Sequence, residues 1–123
     1  LNADLLYTAA ILHDIGKTRK FTLIKNHAIK GKKILTNEGY GKAGETVEKH
    51  MIVDSKNKEF LPLSLEEKLV YYSDKRVSGS RVVSLDCRLR DLQRRHKKYR
   101  QVIIAATPYT KNIEQEIKKL LKK

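Results

Sequence analysis

Leu5-Leu6-Tyr7-Thr8-Ala9-Ala10-Ile11-Leu12-His13-Asp14-Ile15-Gly16-Lys17 is an apolar run that ends on an imidazole beside a carboxylate. Leu6, Ala9, Ala10 and His13 fall at i, i+3, i+4 and i+7, one face of a helix. The spacing predicts a helix over residues 4–13, with His13 turned towards the core. Asp14 falls in the last turn, where the helix macrodipole disfavours negative charge. A divalent cation ligated by both side chains would offset that cost. Gly16 suits a left-handed C-cap, and Lys17 supplies a cation near the helix end. A His-Asp pair by itself also fits a core histidine bonded to backbone next to a turn aspartate. The rest of the chain has to decide between the two.

Outward from this stretch the same helical period recurs. Period-2 alternation is almost absent, and the chain has two Phe and no Trp. Asn26 can cap a second helix over residues 26–37, stopped by Gly39 and Gly41. A third is expected over 43–52, followed by a polar loop over 54–62. Ser64-Leu65-Glu66-Glu67 reads as a capping box that opens a fourth helix, to about residue 77. Ser78-Gly79-Ser80 breaks it. A fifth covers 84–95. Residues 99–106 and 110–121 read as helical, with Thr107-Pro108 as a kink or a fresh N-terminus. The expected fold class is all-α, a helical bundle formed by one domain over residues 1–123.

Composition agrees with that reading. The chain has 123 residues, 40% hydrophobic and 33% charged, so it can bury one core beneath a highly charged surface. No apolar stretch spans a bilayer, so no membrane partner is expected. A single cysteine, Cys87, excludes an internal disulfide and fits a reducing cytoplasm. The net charge of +13 favours anionic partners: phosphate esters, nucleotides or nucleic acid. Solvated lysine-rich helix faces account for part of it.

Each predicted helix also places one polar group on its apolar face. His27 shares a face with Gly31, Ile34 and Leu35, and His50 with Val47 and Met51, with Asp54 one turn beyond. Asp74 lies on the stripe of Val70 and Val77. Gly31 inside a helix costs about 1 kcal/mol against alanine, which fits a close approach by another element. An isolated carboxylate is rarely buried without a partner. His13, Asp14, His27, His50 and Asp74 are therefore expected to converge when the helices pack. Imidazoles with carboxylates suit Fe, Mn or Zn better than Ca. Two close carboxylates in an empty site are expected to have raised pKa values. His96 lies in the basic stretch Arg94-Arg95-His96-Lys97-Lys98 and reads as surface.

These residues carry a resemblance. Leu12-His13-Asp14-Ile15-Gly16-Lys17 is similar to the central motif of the HD-domain superfamily of metal-dependent phosphohydrolases, in its HDIG-type branch. Asn26-His27-Ala28-Ile29-Lys30-Gly31 is similar to the family's His-x-x-x-Gly helix, and Val47-Glu48-Lys49-His50 to the next histidine helix. Glu67-Lys68-Leu69-Val70-Tyr71-Tyr72-Ser73-Asp74-Lys75 resembles the helix that bears the final Asp. The likeness covers residues 3–77, with the basic helices of 84–123 beyond it. The family's first histidine precedes His-Asp by about a helix and a turn, and no histidine precedes His13. Either that helix is missing from this chain or the site is degenerate. The chain begins mid-pattern, which favours truncation, and the chain alone is then expected to bind metal weakly and to be inactive.

The resemblance implies one or two divalent ions, Mn or Fe before Zn, Mg, Ni or Co. It implies that Asp14 bridges two metals, with His13 and Asp74 on the first and His27 and His50 on the second. Asp14 and Lys17 are its implied catalytic residues, Lys17 stabilising phosphoryl oxygens or protonating the leaving group. The implied reaction is hydrolysis of a phosphomonoester or nucleotide by a metal-activated water. A non-catalytic regulatory or nucleic-acid-binding module on a degenerate HD fold is the alternative, with residues 88–100 dense in Arg and Lys and Tyr99 available to stack. A purely structural bundle, or a homo-oligomer of the enzyme, also fits the chain.

Overall fold

The computed structural model describes residues 1–16, 26–53 and 58–122. Lys17 and Asp54, both singled out above, lie outside the described residues. The described residues form six α-helices and one small hairpin: α1 (Ala3–Leu12), α2 (Asn26–Asn37), α3 (Gly41–Glu48), α4 (Leu65–Lys75), β1 (Val77–Ser78), β2 (Arg81–Val82), α5 (Leu85–Arg95) and α6 (Arg100–Leu121). Single 3-10 turns sit at Lys58–Phe60 and Lys97–Tyr99. The fold is all-α, as the helical periodicity requires.

Local chemistry explains most element boundaries. Asn2 caps α1, its Oδ1 accepting from the Leu5 amide at 3.0 Å. The Asn2 amide donates to Glu66 Oε1 at 2.8 Å and ties the start of α1 to α4. Gly39 ends α2 with φ of 90°, a conformation that costs an L side chain 1–2 kcal/mol or so. Gly41 does not help stop α2; it is the first residue of α3. Ser64 and Glu67 form the expected reciprocal capping box on α4.

Glu67 does more than cap. Its Oε1 accepts from the amides of Leu63 and Ser64 at 2.9 and 3.0 Å, and its Oε2 from Lys49 Nζ at 3.0 Å. Burial pushes this carboxyl up, but the Ser64 and Leu63 amides and Lys49 outweigh it and hold it below its ordinary value. A depressed carboxyl stabilises the fold above the unfolded-state value, and the contribution is lost as pH falls through the folded value. Glu67→Ala should therefore cost about 2 kcal/mol at neutral pH. Urea unfolding of variant and wild type should show the gap shrinking at acid pH. An unchanged gap would mean that the charge is not what stabilises this corner.

Two apolar clusters meet on α4. Val70 packs with Ala9, Leu35, Ala43 and Val47, the cluster of α1 to α3. The next residue, Tyr71, packs with Leu85, Leu89, Ile103, Ile113 and others of α5 and α6. Tyr71 also bonds across to α6, its hydroxyl 2.7 Å from Thr110 Oγ1 and 3.2 Å from that of Tyr109. α4 is thus the shared wall of both halves, and it positions Asp74 against α1.

Four local expectations fail. The buried face of α1 uses Ala9 with Leu5, Leu6 and Leu12, while Ala10 faces outward and Ile11 is 78% exposed. α3 stops at Glu48, so His50 stands in the turn beyond it. α4 stops at Lys75, and Val77 is an exposed residue of β1, off the Val70–Asp74 stripe. Pro108 does not restart a helix: α6 runs through it. The proline leaves the Ile104 carbonyl without its i+4 donor, and Ile104 is on the exposed side where water can supply one. Ile103, Ala106, Thr110, Ile113 and Ile117 hold the opposite face buried on both sides of it.

Candidate metal centre

Four segments deliver five side chains to one place. His13 is the C-cap of α1, and Asp14 follows in the turn. His27 lies in the first turn of α2, His50 just past α3, and Asp74 in the last turn of α4. The turn after α1 is pinned by Gly16. A Cβ there would overlap the carbonyl oxygen of His27 and sit 2.5 Å from the amide nitrogen of Gly31. Gly16 does not have positive φ and is no left-handed cap. It is glycine because the turn lies directly on the α2 backbone. Gly31 completes the approach, since a Cβ there would stand 3.0 Å from Val47 Cγ1.

The polar tips meet at short range. Asp14 Oδ2 is 3.3 Å from His13 Nε2, and its Oδ1 is 3.3 Å from His27 Nε2 and 3.6 Å from His50 Nε2. Asp74 Oδ1 lies 3.3 Å from His13 Nε2. His27 Nε2 and His50 Nε2 are 3.1 Å apart. One ligand-type atom from each of His13, Asp14 and His50 lies within 4.8 Å of the others. His96, by contrast, caps α5 and takes no part in this group among the described residues.

The imidazoles are oriented from behind. His13 Nδ1 donates to the Ala10 carbonyl at 2.7 Å, and His50 Nδ1 to that of Val47 at 2.6 Å. A carbonyl can only accept, so the proton sits on Nδ1 and Nε2 is turned to the centre. Ligating histidines are held in this way by outer hydrogen bonds. The donor set of three imidazole nitrogens and two carboxylates suits a first-row divalent cation. Asp14, with its side chain 46% exposed, leaves the cluster open on one side, while His50 is fully buried.

Charge in the cluster is arranged around protons and Lys75. Hydrogen bonds to Asp14 and then Asp74 push the His13 pKa up to about 10. His13, and then His27 and His50, hold the Asp14 carboxyl far below the usual range. Burial pushes Asp74 up, but Lys75 and His13 outweigh it and hold it well down. Burial pushes the His50 pKa down. The expectation of raised carboxyl values is therefore wrong. It counted the two carboxylates against each other and left out the cations that separate them.

Lys75 is the participant that sequence reasoning missed. It is 2% exposed, and its Nζ donates to Asp74 Oδ2 and to the His50 carbonyl, both at 2.7 Å. It also lies over the Tyr71 ring, 4.4 Å from the centroid. The ammonium so fixes two members of the cluster from outside it. The signal was the i, i+4 pair Tyr71 and Lys75, which puts a lysine on a face that the tyrosine buries.

The family model for the HD domain matches residues 1–78, the part that holds all five side chains. The chain belongs to the HD-domain family. It is similar to an uncharacterized protein of Methanocaldococcus jannaschii, 26% identical over 137 aligned positions that cover 99% of this chain and 75% of the relative. It is also similar to a tRNA (cytidine(56)-2'-O)-methyltransferase of Picrophilus torridus, 33% identical over 92 residues, 66% of this chain and 26% of that protein. No solved structure matches. No helix among the described residues is long and apolar enough to cross a membrane.

Proposed function

We propose that this chain is a metal-dependent phosphohydrolase acting on a phosphomonoester or nucleotide. The observation that supports it most is one carboxylate, Asp14, within 3.6 Å of three imidazole nitrogens on an open side of the domain. His13, Asp14, His27, His50 and Asp74 would hold one or two divalent ions, Mn or Fe before Zn, Mg, Ni or Co. Such an ion supplies Lewis acidity and an acidified water.

The chain's own residues set the conditions for that chemistry. His13 Nε2 lies between Asp14 and Asp74, and a proton there must leave before the nitrogen can act as a ligand. Lys75 keeps Asp74 ionised and pointed inward. The exposed edge of Asp14 admits solvent and an anionic substrate. We assign charge stabilisation of the phosphoryl oxygens to Lys17. The surplus of 27 Lys and Arg over 14 Asp and Glu draws such substrates in. The lone cysteine, Cys87, is free and fits a cytoplasmic setting.

The test is direct. The full-length protein, loaded in turn with each of these metals, is incubated with nucleotides and sugar phosphates, and released phosphate is measured. Release from at least one class is expected. Metal-bound protein that is inert across the panel would leave the second reading, a nucleic-acid-binding module. That reading draws on the tRNA named for the Picrophilus relative and on the basic α5.

A further inference from the structure

The hairpin and α5 border an open cleft of about 480 Å³ that shares no residue with the candidate metal centre. Arg81 enters it from β2, and Arg88, Arg90 and Arg94 from α5. Among the described residues Asp91 is the one carboxylate in the lining, and it is already paired: Arg94 Nη2 lies 2.7 Å from Oδ1 and Arg95 Nε 2.9 Å from Oδ2. Arg88 is half-buried, and its Nε and Nη1 are shielded from water with no hydrogen-bond partner among the described residues. Two unpartnered guanidinium nitrogens in such a position cost stability, and a bidentate oxyanion would offset the cost.

The walls are held in place. Arg76, the C-cap of α4, donates from Nε to the Val83 carbonyl at 2.5 Å and accepts at its own carbonyl from the Val83 amide at 2.8 Å. Its Nη1 donates to the Tyr72 hydroxyl at 2.6 Å. The hairpin root is thereby fixed to the end of α4, and Arg81 is presented opposite α5. The volume suits a nucleotide-sized group. Among the described residues the lining has no aromatic side chain on which a base could stack, so recognition falls on phosphate oxygens.

We propose that this cleft is a second, separate anion site that binds phosphate esters through Arg81, Arg88, Arg90 and Arg94. The phosphate comes either from a free nucleotide or from the backbone of an RNA strand. The site stands whether or not the metal centre hydrolyses anything.

The full chain, kept metal-free with a chelator, is titrated with AMP by calorimetry and with a labelled oligouridylate by fluorescence anisotropy. Binding of at least one probe is expected. Saturation by AMP assigns the site to free nucleotides. Binding of the strand alone, with a salt slope that falls by about 0.7 for each arginine removed, assigns it to the RNA backbone. Arg81→Ala and Arg88→Ala should each weaken binding about tenfold. Arg88→Lys, which keeps the charge and loses the fork, should weaken it too. Lys42→Ala removes an equal charge from an exposed position on α3 and should change affinity by less than about twofold. Arg81 is exposed, so its variant tests the site even if the Arg88 variants misfold. Failure of both probes to bind, or equal losses in Arg81→Ala and Lys42→Ala, would overturn the proposal.

Discussion

Asp14→Ala should reduce metal-dependent phosphate release by about a thousandfold or more, the largest effect of any single substitution in the cluster. The reason is geometric. Asp14 touches His13 through one oxygen and His27 and His50 through the other. No other side chain in the group reaches all three imidazoles. Its loss would remove a proposed ligand and leave three imidazole nitrogens facing one another without an anion between them. Metal content should fall with the rate, and elemental analysis of the purified variant checks that part separately. Lys17→Ala should be milder, since loss of one preorganised donor costs about 3–4 kcal/mol and leaves metal content intact. His96→Ala, at the cap of α5, should leave the rate nearly unchanged. A wild-type rate in Asp14→Ala would sink the hydrolase reading.

Gly16→Ala should be the most damaging conservative change to the fold. The added methyl would meet the His27 carbonyl and the Gly31 amide, both backbone atoms that cannot rotate away. Overpacking of this kind costs about 3 kcal/mol, which lowers the melting temperature by about 10 °C. The strain falls on the backbone that positions His27, so metal affinity should weaken at temperatures where the variant is still folded. Calorimetric melting with and without Mn measures both effects. Gly39→Ala is the useful comparison. Its Cβ would stand in open space, so only the strain of φ at 90° would act, and metal affinity should not change. A Gly16→Ala protein that melts with the wild type would mean that the turn does not lie on α2.

The helical periodicity, the capping box and the glycine breaks carried the fold class and most helix positions, because those signals are local. A side chain at i and i+4 shares a face whatever packs against it. The same rule drew attention to His13, His27, His50 and Asp74, with Asp14 beside His13, although His50 stands past the end of α3 and Val77 off the Asp74 stripe. Element ends were less legible. Pro108 stays inside α6 because tertiary burial of the Ile103–Ile117 face outweighs one missing backbone bond. The Val77–Val82 hairpin is too short for any alternation to register.

Only the tertiary structure decided the charge states and the supporting contacts. Electrostatic partners are set by distance in space, and Asp14 owes its environment to residues 13 and 36 positions further on. Lys75, four residues from Tyr71, is a solvated lysine by composition and a buried counter-ion once α4 packs. Gly16 could be read in the chain as a cap, and became a contact only when α2 closed upon it. Spacing along a chain determines which groups share a face. Which face meets which, and therefore where each charge finds its partner, follows from packing that no local pattern encodes.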